Sequence, residues 1–394
     1  DNGGSGIGTV SFGGGGHIWA NTANIYYNPL SYSSPTDFSS FVTGSAKGWM
    51  LVNNVGNEGD EISGAHGLQA MATNPAGNYA LGRNIDASTT SAWNGGAGFV
   101  PVGDTVTPFD GALDGNGHTI SGLTINRPTT DYVGLFGYTG NASDIRNVAL
   151  SGGSVHGLGY TGSLIGENHG SLTNTSSSTS VQGESDRVGG LVAVNYGFIE
   201  SSHASGNISG PYDNNGGLVG ANMTGGIINN SSATGTVSGF DTKGGLVGAN
   251  VGGTISNSYA SGSITPSSNV QVGGLTGYNS GIINSSYATI SVTGSQRVGG
   301  LVGKNDVGGS ISNSYAIGTV DGGTGMYAGG LVGFNSGSIS LSYATGNVTN
   351  SSASYSYSGG LVGNNSGSIS LSFAIGTVTG NHGVGGLVGL NYPS

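Results

Sequence analysis

The sequence is poor in the residue types on which many enzyme sites and most helices depend. It has no cysteine, which excludes disulfides, thiol chemistry and cysteine-ligated zinc. It has 8 lysines and arginines against 19 aspartates and glutamates, and the net charge of −11 disfavours nucleic acid and anionic membranes as partners. Charged residues make up 7% of the chain, against about 25% in a typical soluble domain. Strong helix formers are therefore scarce, and long helices are not expected.

Long apolar runs and collagen-like patterns are missing as well. No apolar run approaches the ~20 residues that cross a bilayer as a helix, so no transmembrane segment is expected. The 82 glycines follow no three-residue period, which excludes collagen. Hydrophobic residues make up 35% of the chain and recur regularly, which is too many for a disordered tract. The first residue is Asp1 rather than Met, as expected after removal of a leader or excision from a longer chain.

A seven-residue motif, Gly-Gly-Leu-Val-Gly-x-Asn, recurs along most of the chain. Its leucine lies at positions 164, 191, 218, 246, 275, 301, 331, 361 and 387. Successive copies are 27, 27, 28, 29, 26, 30, 30 and 26 residues apart, and a looser copy begins at Tyr132. A nearly fixed period in this range is typical of a solenoid, in which each repeat forms one coil.

Within each repeat the apolar residues alternate with a period of two, which indicates strands. Ala260, Gly262 and Ile264 share one face, and the same spacing recurs in the neighbouring repeats. Small and β-branched residues on one face, with Ser and Thr on the other, describe strands around a narrow core. We therefore predict an all-β fold, a single-stranded parallel β-helix with about three short strands per coil. Ten coils would rise about 45–50 Å at ~4.8 Å per coil.

The first 130 residues depart from the repeat and contain all three tryptophans. We predict a strand at Met50–Val52, a short helix at His66–Ala72 and a first coil at Pro108–Ile120. The chain is divided into an N-terminal β-rich segment over 1–78, a lead-in with cap and first coils over 79–130, and the repeat β-helix over 131–394. The N-terminal part is expected to shield the open edge of the solenoid.

Two columns follow from stacking the motif. The motif asparagine is predicted to form a structural ladder, because stacked amides hydrogen-bond to the coils above and below. Its members are Asn168, Asn195, Asn222, Asn250, Asn279, Asn305, Asn335, Asn365 and Asn391. The residue after the motif leucine is Val192, Val219, Val247, Val302, Val332, Val362 or Val388, with Ile165 and Thr276. Strict alternation would expose this row as a sticky stripe. We expect a corner to turn it into the core, and the alternative is a lateral association face.

Five consecutive repeats place an aromatic residue before the inward alanine. We call this set the aromatic file; it comprises Tyr259, Tyr287, Tyr315, Tyr343 and Phe373. Parity with the inward residues places it on the outer face. Stacked rings there are a candidate surface for binding sugar faces or another chain. The alternative is that outward tyrosine only favours strand pairing.

Three consecutive repeats place an aspartate five residues before the motif leucine. This aspartate file comprises Asp186, Asp213 and Asp241. Stacking would separate neighbours by ~5 Å and the outer pair by ~10 Å. Those separations overlap the carboxylate spacings of retaining and inverting glycosidases, and they would also suit Ca²⁺ with nearby carbonyls. Arg187 and Lys243 are adjacent and would offset the repulsion. The alternative is solvated aspartates in turns.

Near the first coil, Asp110, Asp114 and His118 combine residue types that suit acid–base chemistry. Asp-Gly-Asn-Gly is also a turn signature, so a structural role is the alternative. The remaining histidines show no ligand spacing, and no transition-metal site is predicted. Calcium is the one cofactor that the pattern leaves open.

The motif resembles the GLUG repeat. Tyr79–Ser88, Trp93–Phe99 and Asp114–His118 resemble the lead-in of filamentous-haemagglutinin-like proteins. The resemblance implies a right-handed parallel β-helix, two-partner secretion and a role in attachment or biofilm. GLUG repeats also accompany some zinc peptidases that cleave immunoglobulin A, but this sequence has no His-Glu-x-x-His.

The leading interpretation is a secreted or cell-surface adhesin or biofilm-matrix stalk rather than an enzyme. It would bind glycans or a host or matrix surface by avidity along a repetitive face. One alternative is a polysaccharide-degrading β-helix enzyme, a hydrolase or lyase, that uses Asp186, Asp213 or Asp241. Another is a fibre-forming protein whose chains stack end to end through the unpaired edge of the last coil.

Overall fold

The computed structural model describes residues 10–265, 271–352 and 355–392. The protein is an all-β parallel solenoid of about 12 turns, with about 6% of its residues in helices. Strands pair in parallel with the equivalent strands one coil away. The fold class predicted from the repeat is therefore confirmed.

One coil shows the path that the others follow. Strands Val188–Gly189, Val192–Asn195, Phe198–Glu200, His203–Ala204 and Ile208–Gly210 succeed one another, and each belongs to a different sheet. Three strands were predicted, whereas the structure has five. The difference arises because the chain bends within the motif, at Gly190–Leu191, and again between the later strands.

Within the described ranges, the strands form six sheets. Sheet A has 13 strands: Thr22–Tyr27, Ser45–Val52, Asn78–Leu81, Ala112–Asp114, Asp144–Arg146, Ser171–Thr173, Phe198–Glu200, Ile227–Asn229, Thr254–Ser256, Ile282–Asn284, Ser310–Ser312, Ser338–Ser340 and Ser368–Ser370. Sheet B has 11: Ile85–Asp86, Thr119–Ser121, Ala149–Ser151, Ser176–Ser177, His203–Ala204, Ser232–Ala233, Tyr259–Ala260, Tyr287–Ala288, Tyr315–Ala316, Tyr343–Ala344 and Phe373–Ala374. Sheet C has 6: Thr124–Arg127, Ser154–Gly157, Ser180–Gly183, Ile208–Gly210, Thr236–Gly239 and Ser263–Ile264.

The other three sheets complete each coil. Sheet D has 9 strands: Thr161–Gly162, Val188–Gly189, Asn215–Gly216, Lys243–Gly244, Gln271–Gly273, Arg297–Gly299, Tyr327–Gly329, Tyr357–Gly359 and Val384–Gly385. Sheet E has 10: Phe136–Thr139, Ile165–Asn168, Val192–Asn195, Val219–Asn222, Val247–Asn250, Thr276–Asn279, Val302–Asn305, Val332–Asn335, Val362–Asn365 and Val388–Asn391. Sheet F has 4, Val292–Thr293, Val320–Asp321, Val348–Asn350 and Val378–Gly380, and it takes the place of sheet C in the later coils.

The glycines of the motif allow the coils to approach one another closely. A Cβ atom on Gly217 would lie 2.1 Å from the carbonyl oxygen of Gly245 in the next coil. A Cβ atom on Gly245 would lie 2.2 Å from the carbonyl oxygen of Gly274. No side chain fits at this corner, because the backbone of the neighbouring coil occupies its place.

The core is continuous along the axis, from Ile25 to Val362. Both Leu218 and Val219 of the motif are fully buried, and the same holds for the equivalent pairs in the other central coils. Consecutive residues both face the core because the chain bends between them. The prediction that the valine row lies in the core is therefore confirmed, although Val388 in the last coil is only partly buried.

The N-terminal segment joins the solenoid directly. Its strands Thr22–Tyr27 and Ser45–Val52 are the first two of sheet A, so this sheet continues across residue 78. The predicted strand at Met50–Val52 is confirmed as part of Ser45–Val52.

Helices are short and confined to the N-terminal part of the described chain. An α-helix covers Asp60–Ser63, and 3₁₀ helices cover Ser39–Phe41, Gln69–Thr73 and Ser88–Gly96. The helix predicted at His66–Ala72 begins later than predicted, because Gly67 has φ +109 and cannot belong to a helix. None of these described helices has the length and hydrophobicity needed to cross a membrane.

Candidate functional site

The aromatic file forms an uninterrupted stack on the outer face of sheet B. Its members are direct partners in neighbouring strands. Successive ring centroids are 5.0, 4.9, 5.0 and 5.1 Å apart, and the ring planes deviate from parallel by no more than 6°. The register of the solenoid therefore sets one aromatic ring in each of five coils.

Stacking decides what the file presents to solvent. Each inner ring has its faces against its neighbours, so ring edges and hydroxyl groups form the outer surface. The four tyrosines are partly buried, whereas Phe373 at the end of the file is 52% exposed. Burial raises the pKa of Tyr315, and the neighbouring Tyr287 and Tyr343 raise it further. The hydroxyl of Tyr315 therefore stays protonated at neutral pH, and it can both donate and accept a hydrogen bond.

Exposed aliphatic side chains flank the C-terminal part of the file. Leu341 and Leu371 lie two residues before a ring, and Ile375 lies two residues after Phe373. All three are more than half exposed. The file and its neighbours thus form a narrow ribbon of ring edges, hydroxyls and aliphatic groups. Binding of sugars or of another chain to this ribbon stays a prediction.

The nine motif asparagines form one hydrogen-bonded ladder in the motif corner. In the first eight members, Nδ2 donates to Oδ1 of the asparagine in the next coil at 2.7 or 2.8 Å. The same Nδ2 of Asn222 also donates to the carbonyl oxygen of Gly226 at 3.2 Å. Asn222 is fully buried, as are most members of the ladder. Burying one unpaired amide would be costly, but in the ladder each amide supplies a hydrogen-bond partner to the next.

A second buried ladder was not predicted from the sequence. It consists of Ser202, Ser231, Ser258, Ser286, Ser314, Ser342 and Ser372, each two residues before the inward alanine. The backbone N–H of each serine donates to Oγ of the next at 3.1 or 3.2 Å. Each Oγ of the first six donates to the carbonyl two residues earlier, at 2.6–2.9 Å. The regular spacing of serine and alanine was a signal that would have revealed this ladder.

The aspartate file is in register, and the carboxylates of Asp186 and Asp213 accept hydrogen bonds from the neighbouring coil. Asp186 Oδ1 accepts from the backbone N–H of Asp213 at 3.3 Å. Asp213 Oδ1 accepts from the hydroxyl of Thr242 at 3.5 Å. Across the described ranges, no group of three or more His, Asp or Glu side chains is arranged to hold a metal ion. These contacts favour a role in the turns, while catalysis and calcium binding at Asp186, Asp213 and Asp241 stay predictions.

The two cations next to the aspartate file have other partners. Arg187 lies over the ring of Tyr160, with Cζ 4.8 Å from the ring centroid, and hydrogen-bonds to its hydroxyl. Lys243 is fully buried in a strand position that Val188 and Val272 occupy in other coils. Its Nζ donates to the carbonyl oxygens of Gly239 and Thr265. Burial lowers the pKa of Lys243 to about 8.

Asp114 anchors the first coils. Its Oδ2 accepts from Arg146 Nε at 3.0 Å, and its Oδ1 accepts from Asn147 Nδ2 and the backbone N–H of Asn116, both at 2.9 Å. Burial by itself would raise the pKa of Asp114, but these hydrogen bonds hold it below its usual value. Asp110 accepts from the backbone N–H of Ala142 at 3.3 Å. Acid–base chemistry with His118 stays a prediction.

A polar and aromatic cluster around Glu167 was not predicted. His169 Nε2 lies 2.8 Å from both Glu167 Oε1 and the hydroxyl of Tyr138. The His169 ring stacks between Tyr138 and Tyr196, with centroids 5.0 and 4.8 Å away. Glu167 is only 8% exposed. The signal was the variable motif position, which is glutamate here and alanine at Ala221 two coils later.

Comparison with known proteins identifies the repeat. Four segments, residues 216–238, 244–265, 294–321 and 324–354, match the family model "The GLUG motif". Halomucin of Haloquadratum walsbyi is 39% identical over 137 residues, which cover 33% of this chain and 2% of halomucin. A "Putative Gly-rich membrane protein" of Evansella cellulosilytica is 40% identical over 85 residues, which cover 21% of this chain and 10% of that protein. The chain thus spans a small part of either relative.

Among solved structures, the crystal structure of "a putative immunoglobulin A1 protease from Bacteroides ovatus" is similar, with a TM-score of 0.39 and 22% identity. The match covers 61% of this chain and 69% of that one. The kinship with filamentous-haemagglutinin-like proteins and two-partner secretion stay predictions. What the comparisons establish is that this parallel β-helix contains GLUG repeats.

Proposed function

We propose that this chain is a segment of an extracellular or cell-surface protein and acts as a rigid adhesive stalk. The observation that carries the proposal is the aromatic file, one ring in each of five coils at 4.9–5.1 Å. A repeated surface of this kind binds by avidity, since many weak contacts act together on one partner.

The interior of the solenoid supports a stalk. About 12 turns at ~4.8 Å each give a rod of roughly 55–60 Å. A continuous core and a buried asparagine ladder join the coils along the axis. A bend of the rod would break hydrogen bonds in the buried ladders, so the file keeps its spacing.

The composition and the relatives support a location outside the cell. Charged residues make up 7% of the chain, so a contact through the file depends little on salt. One relative is named a halomucin and another a membrane protein. Both names fit a protein at a surface.

The test compares adhesion of the full chain and its variants to polysaccharide-coated and cell surfaces. The file variant carries Tyr287→Ser, Tyr315→Ser and Tyr343→Ser, and we expect it to bind at least 10-fold more weakly. The control is Asp213→Asn, which leaves the file intact and is expected to bind like the wild type. Equal binding by the file variant would refute a role for the file.

The same proteins are assayed for release of reducing sugars. We expect no release. Release that disappears in the Asp213→Asn variant would replace the stalk with the polysaccharide-degrading alternative, because the aspartate file would then be the active site.

A further inference from the structure

A groove of about 470 Å³ lies over the outer face of sheet C, which does not carry the aromatic file. Two outward rows line it: Ser154, Ser180, Asn207 and Thr236 in one, and His156, Gln182, Ser209 and Ser238 in the other. A second depression of about 310 Å³ shares Gln182, Ser209 and Ser238 with the groove. The two depressions are therefore one trough, which we call the sheet C trough.

The lining of the trough is polar and almost without charge. Its side chains are mainly hydroxyls and amides, which both donate and accept hydrogen bonds. Among the described residues that line it, His156 and Glu184 are the ionisable ones. No lysine or arginine is among them, so neither residue type is there to pair with an anionic ligand.

The polar groups at the middle of the trough are held in place before any ligand binds. His156 Nε2 lies 2.7 Å from Glu184 Oε1, and His156 Nδ1 lies 3.1 Å from Asn126 Oδ1. Gln182 Nε2 donates to the same Glu184 Oε1 at 3.0 Å. The hydrogen bonds from His156 and Gln182 lower the pKa of Glu184, so this carboxylate is ionised at neutral pH. A fixed network costs little ordering entropy when a ligand binds.

One side of the trough presents an aromatic ring. Phe240 lines the second depression beside Glu184 and Pro211, and it is 63% exposed. Sites for small ligands combine an apolar or aromatic surface with a few placed polar groups. An exposed ring next to hydroxyls and amides suits a sugar, whose C–H face is apolar and whose rim is hydroxyl.

We propose that the sheet C trough binds a neutral polysaccharide chain that lies parallel to the axis of the solenoid. The lining comes from five strands of sheet C and from Thr265, which directly follows the sixth strand. The five spacings of ~4.8 Å between these coils give a length of roughly 24 Å. That length suits several linked sugar units. The inference rests on the proposed function, because it names a ligand class and a specific site for an adhesive stalk.

The test is calorimetric titration of the full chain with neutral hexasaccharides of glucose, mannose and xylose, and with hexagalacturonate as the acidic probe. The blocking variant is Ser209→Trp, which fills the middle of the trough from an outward position. The matched control is Thr349→Trp, an exposed residue in the equivalent row of sheet F. Phe240→Ala tests the ring without adding bulk. Circular dichroism checks that each variant is folded.

We expect a neutral hexasaccharide to bind the wild type and Thr349→Trp equally, Ser209→Trp at least 10-fold more weakly, and Phe240→Ala several-fold more weakly. Equal binding to all four proteins, tighter binding of hexagalacturonate, or no binding of any neutral probe would each overturn the proposal. If adhesion is lost in the file variant but kept in Ser209→Trp, the stalk function stands and the trough proposal fails. If adhesion is kept in both variants, both proposals fail.

Discussion

Lys243 provides the sharpest test of the energetics of this core. The residue is fully buried at a position where other coils have Val188, Val272 and Val298. Replacement by methionine keeps an unbranched side chain of similar volume and removes the amine. We expect Lys243→Met to be more stable than the wild type at pH 7, because burial disfavours the charged amine in the folded wild type.

The magnitude follows from the pKa. Burial lowers the pKa of Lys243 from its ordinary 10.5 to about 8. At ~1.4 kcal/mol per pKa unit this corresponds to about 3 kcal/mol of stability lost below pH 8. The variant also loses the hydrogen bonds from Nζ to Gly239 and Thr265, which contribute about 1 kcal/mol each and about 2 kcal/mol together. The net expectation is a gain of about 1 kcal/mol at pH 7.

The sign of the pH dependence distinguishes this cause from better packing. Between pH 8 and pH 10.5 the unfolded chain keeps a proton that folded Lys243 has released, so wild-type stability rises with pH. The Met variant lacks this group, and tyrosine titration is common to both proteins. The difference between the two should therefore shrink above pH 8 and vanish at about pH 9.

Urea unfolding of both proteins at pH 7, 8.5 and 10 measures this difference. Lys304→Met is the control, since Lys304 forms a partly exposed ion pair with Asp306 at 2.8 Å and should change stability by less than ~1 kcal/mol. A Lys243→Met variant that is less stable than the wild type at pH 7, or a difference that is constant up to pH 10, would refute the reasoning.

Two further predictions concern the ladders and corners. Asn222→Ala should lower the free energy of unfolding by about 2–4 kcal/mol in urea, because it leaves Asn195 and Asn250 without their buried partner. The control is Asn391→Ala at the exposed end of the ladder, which should lower it by less than ~1 kcal/mol. Leu341→Asn should stabilise by about 1 kcal/mol in thermal unfolding, because Leu341 has φ 49, a left-handed conformation that asparagine tolerates better. A lower unfolding temperature for Leu341→Asn would contradict this account of the corner.

The coil and its register could be predicted because the motif recurs at nearly equal spacing along the sequence. Equal spacing of the motif asparagines placed Asn195 against Asn222, and the structure pairs these residues directly. The number of strands per coil was harder, since period-two alternation does not show where a glycine corner divides a strand. Strict alternation alone would place the valine after the motif leucine outside. The corner expected there is the bend between Leu218 and Val219, and it lets both residues be buried.

The sites were less predictable, because their members belong to different coils. His156 precedes Gln182 by 26 residues and Glu184 by 28, and the three side chains meet only because their coils are stacked. The aligned repeats already contained the signal, since a row that holds serine in the next two coils carries His156 and Gln182 here. The burial of Lys243 was hidden as well, since lysine in a glycine-rich turn looks exposed and only its alignment with Val188 places it inside.

In a solenoid, the neighbours of a residue above and below are fixed by register, so an identical column such as the asparagine ladder is explained by stacking alone. A specific site must therefore come from positions where the residue type differs from its equivalents in the neighbouring coils. The sheet C trough consists of such positions and extends to Thr265, whereas the aromatic file is a regular column that begins at Tyr259. The two surfaces overlap in one coil only. Gain or loss of later coils would thus change the length of the repetitive ribbon, and its avidity, without altering the trough.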